Sequence, residues 1–173
     1  MNKLIDRDRY PIDRLDNKAG QLLVAQCRSD LDGCAAAMLP KFVRQAAITK
    51  MAEEAESLVQ VAHRYDGDRV TFYEEDDIGC SDDESLKSAV RSARHPNRYC
   101  QILNYQIPNH SDLRAIYLWP PLTEFIRQVL NVEQLFLSQC PHLALTIKVA
   151  YEGDTDGWHY DPNDGVVTLV LQA

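Results

Sequence analysis

What this chain has little of narrows it first. Its five cysteines, at 27, 34, 80, 100 and 140, are odd in number and form no CxxC pair. That argues against a zinc knuckle or a disulfide framework, and makes a reducing cytoplasm the default compartment. No apolar run approaches the roughly 20 residues that span a bilayer. The segment Met1 to Arg9 is too charged for a secretory signal. Positive charge is also scarce, with 18 Lys and Arg against 26 Asp and Glu and a net charge of −8. Neither a nucleic-acid partner nor an anionic membrane surface is expected of such a chain. No GxGxxG, P-loop or nucleophile elbow occurs. What is present is ordinary for one globular domain: 173 residues, 45% apolar and 25% charged, enough for a real core.

Hydropathy patterning divides the chain. Residues 1–20 carry few apolar positions and read as a loose polar arm. Leu22 to Cys27 fits a strand or a short helix continuing to Leu31, and Cys34 to Leu39 a small-residue strand. Ile48, Met51, Ala55, Leu58, Val59 and Ala62 recur at helical spacing. Val70 to Tyr73 reads as a strand, Glu74 to Glu84 as a solvated acidic loop, and Leu86 to Ala93 as a short amphipathic helix. Tyr99 to Tyr105 is another candidate strand. Ser111 or Asp112 caps a helix with Leu113 and Ile116, and Pro120-Pro121 separates it from a second helix through Leu130. From Leu143 to Tyr151 the pattern changes to period two, and Val166 to Leu171 is a nearly continuous apolar strand. The two strands are expected to be antiparallel neighbours.

Between them stands Gly157-Trp158-His159-Tyr160-Asp161. On extended backbone, His159 and Asp161 point to one side, with Trp158 and Tyr160 directed into the core. An imidazole and a carboxylate so placed supply two of the three protein ligands of a 2-His-1-carboxylate iron(II) site. The plainer reading is a surface His beside a turn Asp. A second His-x-Asp, His110-Ser111-Asp112, lies where a helix begins and is a capping motif. The acidic cluster Asp154, Asp156, Asp161 and Asp164 does not make an EF-hand, because His159 and Gly165 fall where that loop needs Gly and Glu. His63, His95 and His142 have no spaced partner.

The run Gly153 to Asp161, followed by Val166-Val167-Thr168-Leu169-Val170-Leu171-Gln172, resembles the 2-oxoglutarate- and iron(II)-dependent oxygenases. Within them it is most similar to the free-amino-acid halogenases and their hydroxylating relatives. Looser matches run through Leu31-Asp32-Gly33, Leu39-Pro40-Lys41-Phe42, Ala62-His63-Arg64 and Tyr117 to Thr123. The resemblance implies an α+β fold, with N-terminal helices packed on a partial double-stranded β-helix, or jelly roll, spanning 21–173. It implies Fe(II) held by His159, Asp161 and a distal His, with 2-oxoglutarate and O2 as co-substrates and a small molecule, such as a free amino acid, as substrate. The distal His and the Arg that would bind 2-oxoglutarate are expected beyond residue 173, so this chain alone is expected to be inactive. The halogenases have Gly where Asp161 stands, which makes hydroxylation the expected outcome.

Two further residues are candidates for substrate contacts. Asp156 either meets a cationic substrate group or caps its own loop. Arg64 either pairs with a substrate carboxylate or is a surface Arg at the end of a helix. The alternative to an enzyme is a non-catalytic jelly-roll fragment acting as a binding module.

Overall fold

The computed structural model describes residues 1–71, 85, 93–161 and 165–172. The expected acidic loop at 74–84 and nearly all of the expected helix at 86–93 lie outside those residues. The architecture is mixed helix and sheet, with four α-helices and a three-stranded antiparallel sheet among the described residues. Helix α1 spans Lys18–Cys34, α2 Gln45–Leu58, α3 Asp112–Tyr117 and α4 Pro120–Leu130. Strand β1 spans His63–Val70, β2 Arg94–Ile102 and β3 Ile147–Val149, with β2 in the middle. None of the helices among the described residues is long and apolar enough to cross a membrane.

Local chemistry sets the helix ends. The Asn17 side chain accepts from the Gly20 amide at 2.8 Å and starts α1. The same Gly20 packs against the preceding loop so closely that a Cβ would sit 2.4 Å from the Arg14 carbonyl oxygen. Helix α2 buries Ala47, Met51 and Ala55, of which Met51 and Ala55 are on the expected face, and it ends at Leu58, before the expected Val59 and Ala62. Ser111 accepts from the Leu113 amide at 3.2 Å to open α3, which makes His110-Ser111-Asp112 the capping motif expected of it. Pro120 and Pro121 occupy the first turn of α4, where no amide hydrogen is needed.

Two apolar cores result. One joins Ile5, Val43, Met51, Ile102, Ile107, Leu113, Ile116 and Ile147, and so ties α2 and α3 to the sheet. The other joins Tyr10, Ile12, Val24, Cys27, Phe125 and Val129, between α1 and α4. Phe42, Trp119 and Leu122 pack against both.

Several expectations change. Residues 1–20 are not a loose arm: Ile5 is fully buried, Ile12 nearly so, and Ile5 bridges Val43 in antiparallel fashion. Of the two readings of Leu22 to Cys27 the helix holds, within Lys18–Cys34, whereas Cys34 to Leu39 forms no strand. The alternating run 143–151 is paired only over Ile147–Val149, opposite Ile102 and Cys100. Residues 166–172 form no strand with it; Leu171 packs on the first core while Val166, Val167 and Val170 are exposed. Period-two alternation fixes which face a residue occupies and not whether a neighbouring strand is there to pair with it. The jelly roll is therefore not displayed by the described residues; the sheet has three strands.

Candidate functional site

The pairing register assigns the two faces of the sheet. Arg64, Asp66 and Asp68 oppose Cys100, Arg98 and Pro96 on one face; His63, Tyr65, Gly67 and Arg69 oppose Gln101, Tyr99, Asn97 and His95 on the other. Lys148 opposes Gln101 and joins the second face. After β3 the chain makes a turn from Tyr151 to Asp154, closed by a 2.9 Å bond from the Asp154 amide to the Tyr151 carbonyl. Gly153 stands at its third position with φ of 86°, which favours glycine. The chain then meets β2 again. Thr155 exchanges both backbone bonds with Arg98, at 2.7 and 3.1 Å. The Gly157 amide donates to the side-chain oxygen of buried Asn97 at 3.1 Å. A Cβ on Gly157 would lie 2.9 Å from the His95 carbonyl oxygen, so only glycine lets the segment come this close. Beyond it, the Tyr160 amide donates to the Thr71 carbonyl at 2.9 Å, past the end of β1.

This docked segment brings the motif together. His159 Nδ1 is 2.6 Å from the Gly157 carbonyl oxygen. A carbonyl only accepts, so Nδ1 carries the hydrogen and Nε2 is the ring atom left to act. Nε2 lies 3.2 Å from Asp161 Oδ1, so the imidazole and the carboxylate stand side by side. The backbone bond to Nδ1 is the kind of outer contact that orients a metal-ligating His. Among the described residues no third His, Cys, Asp or Glu joins the pair to complete a metal-holding group. Of the implied iron set, two donors fit and a third is not among these residues.

Asp156 is at the same cluster, paired with Arg69 Nη1 at 3.3 Å and with the Lys148 ammonium. Arg69 also approaches Asp161, with Nη2 3.9 Å from Oδ1. Arg64 is not brought there. It lies on the opposite face and clasps Asp154 with both guanidinium nitrogens, at 2.7 and 2.6 Å. That clasp, with a bond from the Tyr151 amide, holds the Asp154 carboxyl down at about 2. Arg64 is thus a fastening of the turn. Trp158 and Tyr160 do not wedge into the core: they are 80% and 63% exposed, because the segment runs along the margin of the sheet.

Arg69, Lys148 and Asn97 were not singled out from sequence. Their side chains meet the motif only through the register of β1, β2 and β3. The one usable signal was Gly157, a glycine beside the motif where a close approach was needed. Searches against protein-family models, curated proteins and solved structures find no match to this chain.

Proposed function

We propose that this chain belongs to an iron(II)- and 2-oxoglutarate-dependent oxygenase that hydroxylates a small molecule such as a free amino acid, its sheet extended into a jelly roll by further strands. The observation that carries the reading is the placing of His159 Nε2 3.2 Å from Asp161 Oδ1, with the tautomer set by the Gly157 carbonyl. Iron with 2-oxoglutarate and O2 would supply the oxidising chemistry at an unactivated C–H bond. The chain's own part is to hold the two donors. Asn97 and Thr155 fasten the segment to β2, and Gly157 lets it lie close. Asp161 fills the place where the halogenases it resembles have glycine, which favours hydroxylation over halide transfer. The reading requires a third donor and a 2-oxoglutarate-binding cation from outside the described residues.

The test is an anaerobic Co(II) titration followed by visible absorption. His159→Ala and Asp161→Ala are each expected to weaken binding by about tenfold or more, since each removes one of two donors. Equal affinity in both variants and the parent chain would overturn the reading. A second reading, a non-catalytic binding module, predicts that equality.

A further inference from the structure

We propose that His95 is a positioning residue of the His159–Asp161 pair, acting through Thr71 on the backbone between those two side chains. The inference rests on the oxygenase reading for the metal that the pair would hold; the positioning itself needs none.

His95 stands on β2 opposite Arg69. Its stem is part of the surface on which Gly157 lies, since a Cβ on that glycine would come 3.0 Å from the His95 Cβ. The far end of the same side chain reaches Thr71, with Nε2 3.0 Å from Oγ1. Thr71 follows Val70, whose pairing with Arg94 is the last of the β1–β2 ladder, so the ladder does not fix it. The His95 ring does, and the Thr71 carbonyl in turn accepts from the Tyr160 amide at 2.9 Å. One side chain thus brackets the segment at Gly157 and at Tyr160, on either side of His159. Each end of the bracket aims a donor. The His159 ring is held from the Gly157 carbonyl through Nδ1. Asp161 follows directly on Tyr160, so its direction depends on the peptide that Thr71 holds. A shift of Tyr160 would alter the 3.2 Å separation of His159 Nε2 from Asp161 Oδ1. Contacts of this kind keep donors aimed at a site that must meet a metal from fixed directions. The His95–Thr71 bond is partly buried, where an unpaired hydroxyl or ring nitrogen is costly, so the link favours its closed form. His95 is not a third donor in this arrangement. Its Nε2 is turned to Thr71, and among the described residues it joins no group able to hold a metal.

The test compares Thr71→Val, which removes the hydroxyl and keeps the branched shape, with Thr71→Ser, which keeps the hydroxyl. In the metal-free chain, Thr71→Val is expected to speed hydrogen exchange of the Tyr160 amide about fivefold, the size of one lost hydrogen bond, while Thr71→Ser stays at the parent rate. Nitrogen NMR shifts of the neutral His159 ring report which ring nitrogen carries the hydrogen. Nδ1 is expected to carry it in the parent and in Thr71→Ser, and to share it with Nε2 in Thr71→Val. His95→Phe added to Thr71→Val should change neither reading further, since both substitutions break the same bond. Equal Tyr160 exchange in the Val and Ser variants would overturn the proposal. Faster exchange with the His159 tautomer unmoved would make the link structural only and would overturn it as well, as would additive effects of the two substitutions. A parent chain that binds no Co(II) ends the oxygenase reading and leaves these metal-free outcomes standing, so either proposal can fail without the other.

Discussion

The helical body and the sheet margin are held by different forces. In the body, Ile5, Ile12, Met51, Ile102 and Ile107 are at most 2% exposed, and shape and apolar burial do the holding. At the margin, residues 151–161 are held by backbone bonds, one buried Asn and ion pairs, while Trp158 and Tyr160 face water. Apolar packing is strong and hard to rearrange. Exposed ion pairs are weak and exchangeable. The lesson is that the motif lies among polar, water-facing contacts, beside a body held by apolar burial.

The largest test of this contrast is aimed at the body. Ile5→Ala is expected to cost about 2–5 kcal/mol, as for any truncation in a closed core. Denaturant unfolding reads it, and a cost near zero would show that the N-terminal segment is not part of the core. The next is aimed at the margin. Gly157→Ala forces a Cβ against the His95 carbonyl, with an expected cost of about 1–3 kcal/mol. Hydrogen exchange should then speed up at the Thr155 and Tyr160 amides while Met51 in α2 stays protected. Uniform loss of protection would mean that body and margin unfold as one unit. The smallest concerns acid. The folded Asp154 carboxyl is depressed from 3.8 to about 2 by Arg64, so the stability it contributes is whole above about 4 and disappears as pH falls through about 2. Asp154→Asn should flatten the stability–pH curve within that window and leave its shape above pH 5 unaltered, as followed by circular dichroism.

Much of the body could be read from the chain before any coordinates. Helix α2, the Ser111 cap and the proline start of α4 follow from spacing and end chemistry, which are local. The N-terminal segment did not yield to the same reasoning, because Ile5, Tyr10 and Ile12 have no regular period and are buried by distant partners. The strand ends failed for a related reason. Alternation from Leu143 to Tyr151 is real, yet only Ile147–Val149 finds β2 beside it. At the site, His159 and Asp161 were visible because two residues on one extended backbone suffice to aim them together. Arg64 and Arg69 both stood in the chain, but only the register of β1 against β2 decides which of them shares a face with Asp156.

The turn at Tyr151–Asp154 has a consequence for how the chain tolerates length changes. Cys100 opposes Val149, and two residues back along β2 Arg98 opposes Thr155 rather than Tyr151. The chain has slipped by four residues, an even number, and even slips conserve the alternation of sides. Asp156 therefore emerges on the face of Lys148 and Arg69. One residue more or fewer in that turn would reverse the parity, sending Thr155 to the cations and Asp156 to the side of Arg64. Length variation here is thus confined to steps of two. The turn also constrains its own residues, since Gly153 has φ of 86° and Asp154 is clasped by Arg64.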